Sequence, residues 1–446
     1  MPPAFLSRRY DRAIVALAWP ALGTLAADPL VSIVDTAFVG RLGALPLAAL
    51  GVNVAIFSFA FVLFNFLAYG TTPAVARALG RGDRAAAGRT VTHAFVLAVG
   101  LGVVVAALLQ ALAGPVLTVM GATGELRAPA EAYLRIRALA GPALLIITAA
   151  NGAFRGFQDT RTPLVITLSV AVINLVLDPL FIFTFGWGLA GAAVATTLAQ
   201  WAGAVWFVWA VFGRRRRAWQ VPLALPSVPD LAPFVRVGWA LLVRTFALIA
   251  AMTAATAVAT RVGVLDVAAH QIASQLWLFL ALVVDALAIA AQALVAKTLG
   301  EGRPDEARAV SDRLLFLGLL TGVGLAAGMA LLQGPLVRAL TSDAEVIAAV
   351  AGVYAFVVLM QPLNALVFVW DGVFMAVEDF AFLAAAMLIS AAAAAVVLAA
   401  VLPFGWGLPG VWWALVALMI ARAVTLAWRY RPAAGVFRER AVDAPG

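Results

Sequence analysis

Asp28 and Asp35 lie seven residues apart in one long apolar stretch, which puts them on nearly the same helix face two turns apart. Asn174 and Asp178 sit at i, i+4 in a second such stretch and share a face as well. Thr196 and Thr197 occupy a third. A carboxylate at the centre of a bilayer costs roughly 2.5–3.5 kcal/mol on insertion scales, so each is a functional candidate by default. Carboxylates, an amide and a hydroxyl make an oxygen-rich set, suited to a proton or a hard cation such as Na+ rather than to a transition metal. Two carboxylates brought together in low dielectric favour holding a proton between them, which lets such a pair load and unload one. The competing reading is that these groups only hydrogen-bond one helix to another. Asp28 precedes Pro29, where a kink would free carbonyls that need partners. Helical rise also places Asp28 nearer the depth of Asp178 than Asp35 is, so the division of labour between the two aspartates stays open, with Asp28 as a competing or supporting site.

The second half of the chain offers different chemistry. Arg244 and Asp285 fall within about a turn of each other in depth, and pairing would limit the penalty of burying either charge. They form a possible second site or a structural ion pair. His270 lies near the outer end of its stretch and titrates in a useful range when unperturbed. Asp371 aligns with Asn151 and is expected at the cytoplasmic end of its span. Asp159 and Asp379 belong to similar turns, GFQDTRTP and AVEDF, and read as structural hinges. With two histidines, His93 and His270, and no cysteine, no nucleophile dyad, metal pair or HExxH motif is present. No catalytic residue, cofactor or metal beyond Na+ is expected, and the chain is not expected to be an enzyme.

The elements that hold these residues follow from composition. The chain is 64% apolar and 12% charged, against about 25% charged in a soluble domain. This excludes a disulfide scaffold, a disordered regulator and an ordinary cytosolic enzyme. At about 20 residues per crossing, the expected fold is all-α and polytopic. Its twelve spans fall near 13–39, 47–79, 90–112, 129–150, 163–184, 189–212, 236–260, 265–298, 312–333, 345–370, 381–402 and 408–428. The second and eighth exceed what a bilayer requires. The apolar run after Arg8, Arg9 and Arg12 is too long for a signal peptide and reads as the first span. The net charge of +8 comes from 29 arginines and Lys297, mostly clustered between spans. If both termini are cytoplasmic, these clusters fall on the cytoplasmic side, as the positive-inside rule demands. They lack the interleaved aromatics of a nucleic-acid groove, so no nucleic-acid partner is expected.

The chain also repeats itself at an offset of 220. RLGALPLAALGVNV at Arg41 faces RVGVLDVAAHQIAS at Arg261, and VARALGRGDRAAAGR at Val75 faces VAKTLGEGRPDEARA at Val295. Gly114-Pro115 and Pro142 correspond to Gly334-Pro335 and Pro362, while FGWGLAG at Phe185 matches FGWGLPG at Phe404 with a one-residue slip. Six spans per copy make the repeat parallel, with the copies related about an axis along the membrane normal. The expected organisation is an N-terminal lobe (1–213), a cytoplasmic linker rich in arginine and proline (214–235), a C-terminal lobe (236–430) and a cytoplasmic tail (431–446). Two six-helix lobes around a central cleft is the plan of an alternating-access transporter. In the second copy Asp35, Asn174 and Asp178 face Ala255, Ala394 and Leu398, so the oxygen cluster belongs to one lobe only.

At these residues the sequence resembles the multidrug and toxic compound extrusion (MATE) transporters, in particular their DinF-like branch. The resemblance rests on Pro20 followed by DPLVSIVDTAFVGRLG, on NGAFRGFQDTRTPL, on INLVLDPLFIF and on the repeat, and it covers nearly the whole chain. It implies export of organic compounds coupled to H+ or Na+. It also implies a cation site at Asp35, Asn174, Asp178 and Thr196, and a first-helix bend at Pro20. A small, cationic and amphipathic organic substrate is expected, with a monomer in the cell membrane as the working unit. Two other classes stay in view: a lipid-linked precursor flippase, for which only Arg244 would serve a pyrophosphate head group, and an intramembrane enzyme.

Overall fold

Long apolar runs in a bilayer must satisfy their own backbone groups, and here they do so as helices. The computed structural model describes residues 8–341, 343–431 and 436–437. Most of the expected tail, 431–446, lies outside the described residues. No strand occurs among the described residues. The helical runs are α1 (Arg8–Gly40), α2 (Ala44–Gly80), α3 (Arg84–Ala111), α4 (Gly124–Ala138, then Gly141–Gly156), α5 (Arg161–Thr184) and α6 (Gly188–Arg214). They continue with α7 (Pro229–Val262), α8 (Val264–Gly300), α9 (Pro304–Leu331), α10 (Ala344–Leu359, then Gln361–Ala376), α11 (Phe380–Val401) and α12 (Gly407–Tyr430). Ten are single helices long and apolar enough to cross a membrane; α4 and α10 qualify as bent pairs, which makes twelve. The protein is a polytopic all-α membrane protein. As expected, α2 and α8 are long, at 37 residues each.

The bends in α4 (48°) and α10 (49°) share one cause. Pro142 and Pro362 stand at the start of the second segment of each pair. A proline there cannot donate to the preceding turn and its ring clashes with that turn's carbonyl, so the helix breaks and restarts. By contrast, α1 continues as one helix through both Pro20 and Pro29.

The chain forms two compact units, one of Trp19–Gly238 and one of Trp239–Gly446 together with Met1–Ala18. The division thus cuts α1 just ahead of Pro20 and cuts α7 between Gly238 and Trp239. In the first unit the second segment of α4 packs against α2, α3 and α6, and α5 packs on α6. In the second unit the second segment of α10 packs against α8, α9 and α12, and α11 packs on α12. Close approaches are duplicated too. A Cβ on Gly102 would stand 2.4 Å from the Pro142 Cα, and one on Gly322 would stand 2.8 Å from the Pro362 Cα. Gly152 presses on Ala68 as Gly372 presses on Ala288. Only a residue without a side chain lets these backbones meet.

Turn geometry repeats as well. Gln158 and Glu378 both adopt a left-handed conformation, and Gly186 and Gly188 match Gly405 and Gly407 in positive φ. The one-residue slip has a visible origin. The first copy carries one more residue between its Asp159 and Gly186 than the second carries between Asp379 and Gly405. A five-residue π-turn at Leu180–Thr184 takes up that extra residue. Such bulges often sit beside functional positions, and this one begins two residues after Asp178.

Candidate functional site

The site forms in the first unit, and α5 and α6 set its depth. Asp178 and Thr196 stand eight residues on either side of the Gly186–Gly188 turn, so antiparallel packing of the two helices brings them level. The i, i+4 spacing adds Asn174 on the same face of α5. Asn174, Asp178 and Thr196 are all buried, and Asp178 is fully inaccessible. The Asn174 amide donates to Asp178 Oδ1 at 3.5 Å and to Thr196 Oγ at 3.3 Å, while Thr196 Oγ donates to the Ala192 carbonyl at 2.9 Å. From α1, the half-buried Asp35 brings its carboxyl within hydrogen-bonding reach of Asp178. Asp35 Oδ1 and Asp178 Oδ2 are buried without a hydrogen-bond partner. Two carboxyls this close in a dry site cannot both stay ionised at low energy. The arrangement therefore calls for a cation, and a single proton shared between them is enough.

In the same unit Leu50, Phe57, Leu109, Leu134, Ile182 and Leu189 belong to one buried apolar core that packs α2 to α6 together. Thr197, the neighbour of Thr196, points elsewhere and donates to the Ile136 carbonyl at 3.4 Å. Asp28 is exposed and makes no described contact with the cluster. It lies on the α1 stripe but not in the group that Asp35 joins.

Three residues beside the cluster were not singled out from the sequence. Arg137, in the last turn of the first α4 segment, is buried. Its guanidinium donates to Gln200 Oε1 at 2.6 Å and lies 5.2 Å over the Phe57 ring. Tyr133, one turn earlier, is within hydrogen-bonding reach of it. A signal was present in RIRALAG. Residues two apart on a helix do not face the same way, so Arg135 and Arg137 could not both point outward. Arg135 is indeed the outer one, paired with Glu131 at 2.7 Å.

The second unit carries no counterpart. Positions equivalent to Tyr133, Arg137 and, after the one-residue slip, Gln200 are Val353, Val357 and Met419. Its buried charges form another group. Asp371 was expected at the cytoplasmic end of its span; it is buried, and it accepts from Arg244 at 2.6 Å and from Arg422. The depth argument that joined Arg244 to Asp285 overlooked this carboxylate, and Arg422 was overlooked altogether although it interrupts an apolar run. His270 is buried on α8, its Nε2 3.4 Å from both Thr256 Oγ and Ser274 Oγ. Asp159 and Asp379 each hold an arginine, Arg215 at 2.7 Å and Arg429 at 3.1 Å, in keeping with structural turns.

A sequence model of the MatE family matches residues 20–180 and again 241–401, one repeat apart. The chain belongs to the MatE family. Its relatives in that family include Protein DETOXIFICATION 44, chloroplastic, of Arabidopsis thaliana, 38% identical over 93% of this chain and 81% of that protein. Another is the probable multidrug resistance protein NorM of Thermotoga maritima, 26% identical over 75% of this chain and 73% of that protein. A crystal structure of a MATE protein in the bent conformation superimposes with a TM-score of 0.88, at 22% identity and 97% coverage of both chains; this likeness speaks for the fold. As a MATE protein the chain is a multi-pass membrane transporter of small molecules and not an enzyme.

Proposed function

We propose that the protein is a cation-coupled antiporter that exports organic, cationic and amphipathic compounds by alternating access. The observation that carries this reading is the meeting of Asp35, Asn174, Asp178 and Thr196 in one dry cluster, with a buried and unpartnered oxygen on each carboxylate. In this reading the outward-facing state releases substrate, and a proton or Na+ then binds between Asp35 and Asp178. Neutralising the pair lets α1 rearrange about Pro20 and favours the inward-facing state, where substrate binds and the cation leaves. Pro20 lies inside α1 and lacks the amide that would bond to the preceding turn, which supports it as the point where the helix gives. In this reading Asp28, Arg244 and Asp285 take no part in the site. Arginine clusters between the spans support a cytoplasmic location for both termini. The buried Arg244 and Arg422 are engaged by Asp371, which argues against their serving a lipid-linked pyrophosphate.

The test is efflux of a fluorescent lipophilic cation from proteoliposomes, with pH and sodium gradients imposed separately. One gradient should drive efflux by the natural protein, and neither should drive it in Asp35→Asn or Asp178→Asn. Gradient-driven efflux that survives both substitutions would end this reading.

A further inference from the structure

Arg137 is a permanent cation buried beside a site that must itself take up and give up a cation. It is 9% exposed, and the Gln200 bond and the Phe57 ring hold its guanidinium in place. Gln200 stands one turn beyond Thr196 on the same face of α6, so the 2.6 Å bond to Gln200 sets the guanidinium about one helical turn from the cluster. Yet its described hydrogen bond is to Gln200 and not to a carboxylate oxygen. The contrast with Asp371 is direct, since two arginines grip that carboxylate. Arg137 therefore biases the pair without occupying it, and Asp35 Oδ1 and Asp178 Oδ2 are left unpartnered. The other described groups beside the pair are Tyr133 on α4 and the uncharged Asn174 and Thr196.

We infer that Arg137 is the resident counter-charge of the Asp35–Asp178 pair and determines how readily the site releases its coupling cation. The inference rests on the cation site proposed above. With Arg137 present, two ionised carboxylates leave a net charge of −1, which one bound H+ or Na+ neutralises. Without it the pair carries −2 and a single bound cation leaves −1, so the cation is held more tightly and departs less readily. At an effective dielectric near 20, removing a unit charge one side-chain shell away changes cation affinity roughly 10–30-fold. Gln200 is then a positioning residue, which keeps the guanidinium close but off the oxygens.

The test compares natural protein, Arg137→Gln, Arg137→Lys and Gln200→Leu in proteoliposomes, following efflux of a fluorescent lipophilic cation. Titrating pH and sodium in separate arms identifies which cation drives transport. In Arg137→Gln the half-saturating concentration of that cation should fall roughly 10–30-fold, about 1–1.5 pH units toward alkaline if the ion is a proton. Arg137→Lys keeps the charge and should stay within about threefold of the natural protein. Gln200→Leu should move in the same direction as Arg137→Gln but less, and it decides the matter if Arg137→Gln does not fold. An unmoved midpoint in folded Arg137→Gln, or an equal shift in Arg137→Lys, overturns the inference. Coupled efflux surviving in Asp35→Asn and Asp178→Asn would instead overturn the cation site itself, whatever Arg137 does.

Discussion

Asp371→Asn is expected to be among the most destabilising single substitutions in the second unit. Asp371 accepts from Arg244 Nη2 at 2.6 Å and from Arg422 as well. The arginines are 9% and 2% exposed, and the Arg422 guanidinium also lies 5.6 Å over the Phe368 ring. Asparagine has nearly the shape of aspartate, and Asn151 holds the equivalent position in the first unit, so the substitution removes charge and little else. Breaking a buried ion pair by neutralising one partner costs about 3–5 kcal/mol, because the other charge remains in low dielectric. One carboxylate here serves two guanidiniums, which argues for the upper end, about 5 kcal/mol. Denaturant unfolding of detergent-solubilised protein, followed by tryptophan fluorescence, measures the loss. The companion variant Arg244→Gln/Asp371→Asn/Arg422→Gln removes every charge of the group and should recover at least about 2 kcal/mol of it, since replacing whole buried ion groups is often nearly neutral. An Asp371→Asn protein within about 1 kcal/mol of the natural one, or a triple variant weaker than the single, would refute this reasoning.

Other outcomes follow from packing and caps. Gly102→Val drives a side chain into the Pro142 backbone, 2.4 Å from where its Cβ would stand, and should destabilise by about 3 kcal/mol or more in the same unfolding assay. Gly324→Ala, with nothing within 4 Å of the added Cβ, should instead be neutral or stabilising by up to about 1 kcal/mol. Asp83 caps α3 by accepting from the Ala86 amide at 2.7 Å, so Asp83→Ala should cost about 1 kcal/mol while leaving the cation dependence of transport unchanged.

The parts of the molecule that could be read from the sequence are those with a strong period or a strong physical penalty. Twelve spans follow from apolar run length, and the candidates Asp28, Asp35, Asn174, Asp178, Thr196 and Thr197 follow from the cost of hiding oxygen chemistry in a bilayer; only the family resemblance selected Asp35 and Thr196 among them. The bends of α4 and α10 were less legible. Pro142 and Pro362 were matched as repeat partners, but matching alone does not say that each begins a new helical segment. Arg244 found Asp371 and not only a partner at similar depth, because depth along separate helices says nothing of which faces meet. Arg137 escaped notice because a basic residue close to a span end fits the edge as well as the interior, and only packing distinguishes the two.

The repeat also separates what symmetry supplies from what it does not. Gly102 and Gly322, Gly152 and Gly372, and the left-handed Gln158 and Glu378 recur because two copies of one backbone impose the same steric demands at each place. The polar groups recur at none of the decisive positions: Asp35, Arg137, Asn174, Asp178 and Gln200 all face apolar residues in the other copy. A buried carboxylate is destabilising unless something uses it, so a duplicated scaffold loses such groups wherever they have no task. The second unit buries Asp371 and Asp379 and commits both to arginines, Asp371 to two of them. The first unit kept a pair with an open oxygen on each member and a cation held just out of contact. If the proposed site in the first unit is the one exchangeable site, one coupling cation moves per cycle, and a measured stoichiometry of two would overturn that assignment.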